Sequence, residues 1–250
     1  MTKRFESKTA LVTGGASGIG KAVALALAAE GANVVIFDLH LEPAQAVVDE
    51  IAATGARALA VAGNVAQPDD VRAAVDAAVN TFGALHAAFN NAGVGGPLGL
   101  LGDITIEGYL QLIDVNLHSV FYGMFYEIPA MLKAGGGAIV NTSSILGLVG
   151  ESSAVPYTTA KHGIAGMTKA AAIGYASRGV RINSVHPGYI DTPLLEGIPQ
   201  EKHDGLVALH PIGRLGTAEE VAQYVVFLLS DDASFITGSQ AVIDGGYTAR

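Results

Sequence analysis

The sequence predicts an α/β domain, a doubly wound parallel sheet of about seven strands with helices on both faces. Short β-branched runs alternate with longer alanine-rich segments of helical period, the pattern of parallel βαβ units. The strand runs are continuously apolar, as expected of strands buried on both faces. No Pro/Gly/Ser-rich linker, charge run or composition shift divides the 250 residues, so one domain over 1–250 is expected.

In chain order the strands are TALVTG, NVVIFD, RALAVAGN, LHAAFNNAG, GAIVNTSS, RINSVHPG and QAVIDGG. Helices are expected near 19–30, 42–54, 68–82, 104–133, 156–178 and 217–230. Ligands of such sheets bind beyond the carboxyl ends of the strands. Gly14, Asp38, Asn64, Asn90, Ser144 and His186 all fall at those ends.

Composition excludes several classes. Half the residues are hydrophobic and 15% are charged, ample for a large core. A net charge of −9 argues against nucleic acid, which needs a basic footprint. Without cysteine there is no disulfide, thiolate metal site or cysteine nucleophile. The start, MTKRFESKTALV, lacks the sustained apolar region of a signal peptide. The apolar run from Ala22 to Ala29 is far short of the roughly 20 residues that span a bilayer. A cytoplasmic protein without a membrane partner is expected. The histidines form neither an H-x-x-x-H pair nor a cluster with carboxylates, so no metal is expected.

TGGASGIG, Thr13 to Gly20, follows the first strand and opens the first helix. Bare glycine amides and the positive end of a helix suit a pyrophosphate. Gly14, Gly18 and Gly20 carry the turn. Asp38 ends the second strand about 20 residues on, where a carboxylate accepts from ribose hydroxyls and repels a 2′-phosphate. Ser17, Leu39 and His40 supply no fixed positive charge, so NAD is favoured over NADP. The competing reading is that Asp38 only caps the following turn.

Tyr157 and Lys161 stand four residues apart in PYTTAKHGIAG, on one helix face. Alone, such a pair is weak evidence. Together with NNAG (Asn90–Gly93), Asn116 in DVNLHSVF, NTSS (Asn141–Ser144) and HPGYIDTP (His186–Pro193), it makes the chain resemble the short-chain dehydrogenase/reductase family over essentially its whole length. The resemblance is to the single-domain, NAD-type branch and implies a Rossmann-type fold. It implies Tyr157 as general acid/base, Lys161 as its activator, Ser144 as the donor that orients the carbonyl, and Asn116 as the fourth member. Ser143 is the runner-up to Ser144. On the cofactor side it implies Gly14, Ser17, Gly18, Ile19, Gly20 and Asp38, then Asn90, Ala92 and Gly93. It adds Pro187, Gly188, Ile190 and Thr192, with Tyr157 and Lys161 also reaching the cofactor. Asn64–Val65 replaces the family's usual aspartate–hydrophobic pair at adenine; the amide carbonyl still accepts a hydrogen bond.

The chemistry explains the residue types. A phenol titrating near 10 needs electrostatic help to act as a base, and an ammonium one helical turn away is expected to lower it. A serine hydroxyl stabilises charge developing on the substrate oxygen. Asn116 is expected to hold water against Lys161. His186 reads as structural, and the nicotinamide removes the need for a metal.

Three segments are expected around the substrate: Val94–Gly102, Ile145–Pro156 and a lid at about 194–214. Ile145, Leu146, Leu148, Tyr189, Leu194 and Leu195 favour an apolar or cyclic ketone or secondary alcohol, and Glu151 is the nearby charge. A 3-oxoacyl reductase acting on carrier or CoA thioesters is the alternative, and a non-catalytic dinucleotide sensor on the same fold the remote one. Phe121, Met124, Phe125, Ile164 and Met167, with glycines at 123, 163, 166 and 174, suggest apolar helix surface for assembly. The resemblance implies a homotetramer, and the DGGYTAR terminus, short and apolar until its last residue, is expected to tuck into a neighbouring subunit.

Overall fold

The computed structural model describes residues 3–195 and 197–249; Glu196, Arg250 and the Leu194 side chain, all named in the expectations above, lie outside the described residues. Seven parallel strands form one sheet: β1 (Thr9–Thr13), β2 (Asn33–Asp38), β3 (Ala58–Ala62), β4 (Ala87–Asn90), β5 (Gly137–Thr142), β6 (Val180–Pro187) and β9 (Gln240–Ile243). Their order is β3-β2-β1-β4-β5-β6-β9. All seven expected strands are in it. The order reverses at β1, which pairs with β2 on one side and β4 on the other, opening a crevice above their carboxyl ends.

The two faces follow from strand period. Ala10, Val12, Val34 and Ile36 point to one core, covered by α1 (Gly18–Ala29), α2 (Leu41–Ala53) and α8 (Ala218–Leu229). Leu11, Val35 and Phe37 point to the other, covered by α3 (Pro68–Phe82), α5 (Ser119–Lys133) and α6 (Val155–Tyr175). Pro68 at the first helical position and left-handed Gly83 just past the end bracket α3. Thr217 and Glu220 form a reciprocal capping box on α8.

The helix expected over 104–133 is interrupted. It becomes α4 (Ile106–Ile113), a π-helical turn at Asp114–His118, and α5. Ser119 donates its amide to the Asp114 carbonyl, an i to i+5 step that rotates Asn116 inward. The segment expected as a lid holds α7 (Gln200–Ala208), and its flanks pair as a small second sheet, β7 (Ile190–Asp191) with β8 (Gly216–Thr217). Among the described residues, no helix is long and apolar enough to cross a membrane.

Candidate active site

The glycine turn leaves β1 at Gly14, whose φ of +62° suits glycine, and a Cβ there would stand 2.9 Å from the Ala92 backbone. Gly18 also has positive φ (+50°), and a Cβ on it would lie 3.5 Å from the Thr192 side chain. The structure thus brings Gly18 and Thr192 together across the crevice. Gly20 packs on the Gly14 carbonyl with no room for a side chain. Ser17 caps α1 by backbone alone, its hydroxyl making no capping bond, and no acidic residue occupies the first turn. Ile19 anchors the turn by packing on the first core.

Asp38 sits at the edge of this turn. One carboxylate oxygen accepts from the Ala16 amide at 3.0 Å, the other from the Leu39 amide at 2.8 Å. It therefore stitches its own turn and holds its charge at the edge of the cradle. Asn64 is exposed and its side-chain oxygen accepts from Ala66 N at 2.9 Å, leaving one lone pair for another donor. Val65 packs inward.

Asn90 corrects the sequence expectation. Its side chain does not line the crevice; it is buried beneath it, donating to Glu127 and Asn141 at 3.0 Å each. Strand alternation turns Asn90 toward α5, and α5 comes close enough only because residue 123 is glycine. Asn91, which the sequence reading passed over, does the work at the turn: it donates to the Thr13 and Gly14 carbonyls at 3.2 and 3.3 Å. The Thr13 hydroxyl accepts from the Asn91 and Ala92 amides. The doubled asparagine was the available signal.

Glu127 is the other group that sequence alone missed. It is fully buried, and its Oε1 has no hydrogen-bond partner among the described residues. Burial raises its carboxyl from the ordinary 4.5 to about 7, against the hydrogen bond from Asn90. The unfolded chain loses this proton near 4.5 and the folded chain only near 7, so stability falls as pH rises through that window. Glu127→Gln keeps an acceptor for Asn90 and cannot ionise. We expect it to match wild type at pH 5 and exceed it by about 1–3 kcal/mol at pH 8, read by denaturant unfolding at both pH values.

Ser144, Tyr157 and Lys161 meet at the end of β5. The Ser144 hydroxyl accepts from the Leu146 amide at 3.2 Å and lies near enough to Tyr157 to favour its phenolate, while Ser143 donates instead to the Lys161 backbone carbonyl at 2.9 Å. Geometry thus turns Ser144, not Ser143, toward the phenol. His186 accounts for the Ser144 backbone: its Nδ1 lies 2.9 Å from the Ser144 carbonyl and its Nε2 2.9 Å from the Ser184 hydroxyl. Burial lowers His186 to about 4, so it is a neutral structural residue, as expected.

Lys161 is buried, donates to the Thr142 carbonyl at 2.8 Å, and has its Nζ 5.3 Å from the Tyr157 ring centroid. Desolvation lowers it to about 8. Its ammonium is turned to the Thr142 carbonyl and stands beside the Tyr157 ring. Burial raises the Tyr157 phenol, opposed by the Ser144 side chain and reinforced by Tyr189. The Asn116 amide is fully buried and clamps Val94, accepting from its N–H and donating to its carbonyl at 2.8 Å each. It also abuts Gly93, where a Cβ would stand 3.3 Å from its oxygen. The Asn116 side chain is thus committed to the loop after β4.

On the substrate side, Ile145, Leu146 and Ala154 pack with Val149, Tyr157, Tyr189 and Tyr247. The turn after β6 is fixed by Gly188 donating to the Ile243 carbonyl at 3.0 Å, which places Ile190 and Thr192 beyond Pro187. Glu151 accepts from Ser152 and from both the amide and hydroxyl of Ser153, and the Ser153 amide chiefly holds its carboxyl below the usual range. It orders its own loop. Tyr247 packs against Ile145, Leu146 and Ala154 of its own chain.

Residues 14–248 match the family model described as "Enoyl-(Acyl carrier protein) reductase". The chain is 58% identical to the cyclohexanol dehydrogenase of Acinetobacter sp. (strain SE19), covering 100% of this chain and 98% of that one. The chain belongs to the short-chain dehydrogenase/reductase family. It is also 43% identical to the cis-4-hydroxycyclohexanecarboxylate dehydrogenase of Sinomonas cyclohexanicum, over 100% of both chains. A short-chain type dehydrogenase/reductase from Mycobacterium marinum has the same fold, with a TM-score of 0.93 at 38% identity, covering 98% of this chain and 97% of the other. As a short-chain dehydrogenase/reductase the chain is an oxidoreductase that uses a nicotinamide dinucleotide. The side-chain-free turn, the open start of α1 and Thr192 opposite Gly18 fit such a group.

Proposed function

We propose that this short-chain dehydrogenase/reductase interconverts a cyclic secondary alcohol and its ketone with NAD. The observation that carries the reading is the meeting of Ser144, Tyr157 and Lys161 beside an apolar cluster of Ile145, Leu146, Ala154 and Tyr189. The names of the two relatives, both acting on cyclohexane rings, support the substrate class.

When bound, the nicotinamide dinucleotide supplies the hydride acceptor or donor. Gly14, Ser17, Gly18 and Ile19 hold its phosphates, Asp38 its adenosine ribose, and Asn64, Val65, Ala92 and Gly93 its adenine side. Pro187, Gly188, Ile190 and Thr192 form the nicotinamide side, with Lys161 at that ribose. In oxidation the Tyr157 phenolate Oη accepts the proton of the alcohol hydroxyl, and in reduction the phenol returns it to the substrate oxygen. Ser144 donates to the substrate oxygen and Lys161 stabilises the phenolate. Asn116 acts through Val94, holding the loop that borders the site. The segment at about 194–214 forms the lid.

Assembly is proposed as a homotetramer. Met124 and Ile164 belong to the core, but Phe121 and Phe125 stay exposed beside a groove of about 690 Å³ between α3, α5 and α6. Such a patch marks an interface. Light scattering at micromolar concentration should give about 100 kDa, four times the 25.4 kDa chain; a mass near 25 kDa would refute it.

A panel of cyclic, acyclic and sugar alcohols with NAD and with NADP, followed by absorbance of the reduced cofactor, tests the function. Cyclic alcohols with NAD are expected to give the highest kcat/KM. Turnover confined to 3-oxoacyl thioesters would replace this reading with the acyl reductase.

A further inference from the structure

Three segments remote in sequence converge on His210: the end of α7, the turn after β6, and the last residues of the chain. His210 is buried. Its Nδ1 lies 2.8 Å from the Leu206 carbonyl, which only accepts, and its Nε2 lies 3.1 Å from the Tyr189 amide, which only donates. Those partners use Nδ1 as a donor and the Nε2 lone pair as an acceptor.

The imidazole also joins two tyrosines. Its centroid is 5.8 Å from Tyr189, near perpendicular at 81°, and 5.6 Å from Tyr247, while the two phenols are 6.3 Å apart. These are the separations of edge-to-face aromatic contacts. Gly188 makes room for the ring, since a Cβ there would come within 2.7 Å of Nε2. Tyr247 is presented by Asp244, whose carboxylate accepts from Gly246 N and from the amide and hydroxyl of Thr248. Tyr189 reaches forward from this cluster to pack with Ile145, Leu146 and Tyr157. Its phenol is close enough to Tyr157 to raise that group electrostatically.

We propose that Tyr189 is a specificity residue whose ring forms the wall against which a cyclic alcohol lies, and that His210 is the positioning residue that holds this wall and fastens the end of α7 to it. This rests on the alcohol dehydrogenase reading above. A rigid, flat wall favours a ring over an open chain of equal carbon count, because the ring has no internal rotations to freeze.

The test compares cyclohexanol with 2-hexanol in wild type and in Tyr189→Ala, His210→Ala and His210→Gln. Wild type is expected to prefer cyclohexanol. Tyr189→Ala should reduce that preference about tenfold through KM for cyclohexanol, with kcat changed little. His210→Ala should reproduce the KM effect, and His210→Gln, which retains an acceptor for the Tyr189 amide, should recover most of it. Unchanged preference in Tyr189→Ala, or equal losses on both alcohols, overturns the proposal. So does a His210→Gln variant as impaired as His210→Ala, because the acceptor would then be irrelevant. Tyr189→Ala and His210→Gln keep the test decisive if His210→Ala does not fold. A wild type that oxidises neither alcohol defeats the functional reading instead, before any variant is compared.

Discussion

Tyr157→Phe is expected to keep nicotinamide dinucleotide binding and to lose turnover by about 10²–10⁴-fold, the range for removal of a positioned general acid/base. The phenyl ring retains the packing that Tyr157 makes with Ile145, Leu146 and Ala154. Lys161 is held by the Thr142 carbonyl, not by the phenol, so its position does not depend on the hydroxyl. The variant therefore removes the proton carrier and little else. Because burial holds the phenol above its ordinary value, wild-type alcohol oxidation should rise with pH through the alkaline range, and the residual rate of the variant should lose that rise. Fluorescence titration of the reduced cofactor gives the Kd and stopped-flow absorbance the turnover. Near-native turnover in Tyr157→Phe would remove the proposed mechanism.

Local pattern carried the reading of this molecule as far as contacts stayed local. The seven strands were legible because each is an apolar run closed by a special residue, and α3 and α8 because their termini carry proline, glycine and a capping box. The π-helical turn at Asp114–His118 was not, since one register slip costs no change in hydrophobic pattern and is held by Asn116 on Val94, 22 residues away. Asn90 and Asn91 could be named as a motif, but which of the two faces the crevice depends on strand phase. Glu127 looked like an ordinary helical carboxylate; its burial follows from Asn90, 37 residues earlier. Likewise the phenol–ammonium pair was legible as a spacing, whereas the direction of the Tyr157 shift is set chiefly by burial, which only the packed fold supplies. The small sheet and α7 escaped because short paired flanks leave no period to read.

Cofactor choice provides the second large effect. Asp38→Ser combined with Leu39→Arg is expected to raise the ratio of kcat/KM for NADP over NAD by about 10²-fold, equivalent to roughly 3 kcal/mol between close charges near a protein surface. The Asp38 carboxylate is fixed at the turn by Ala16 and Leu39 amides, so its charge cannot swing away from a 2′-phosphate. Leu39 is 59% exposed, and an arginine in its place has room to extend over the same edge without disturbing the core. The single changes should separate the two contributions. Asp38→Ser alone should raise KM for NAD, since the ribose hydroxyls lose their acceptor, while gaining little with NADP. Leu39→Arg alone should gain little as well, because the guanidinium would pair with the adjacent carboxylate before it met a phosphate. The double variant must therefore exceed the sum of the singles in its effect on the ratio. A thermal unfolding curve checks that loss of the Ala16 contact has not opened the turn itself. With the fold intact and the ratio unchanged, recognition of the ribose would have to lie outside Asp38, and the carboxylate would be left with only its turn-capping role.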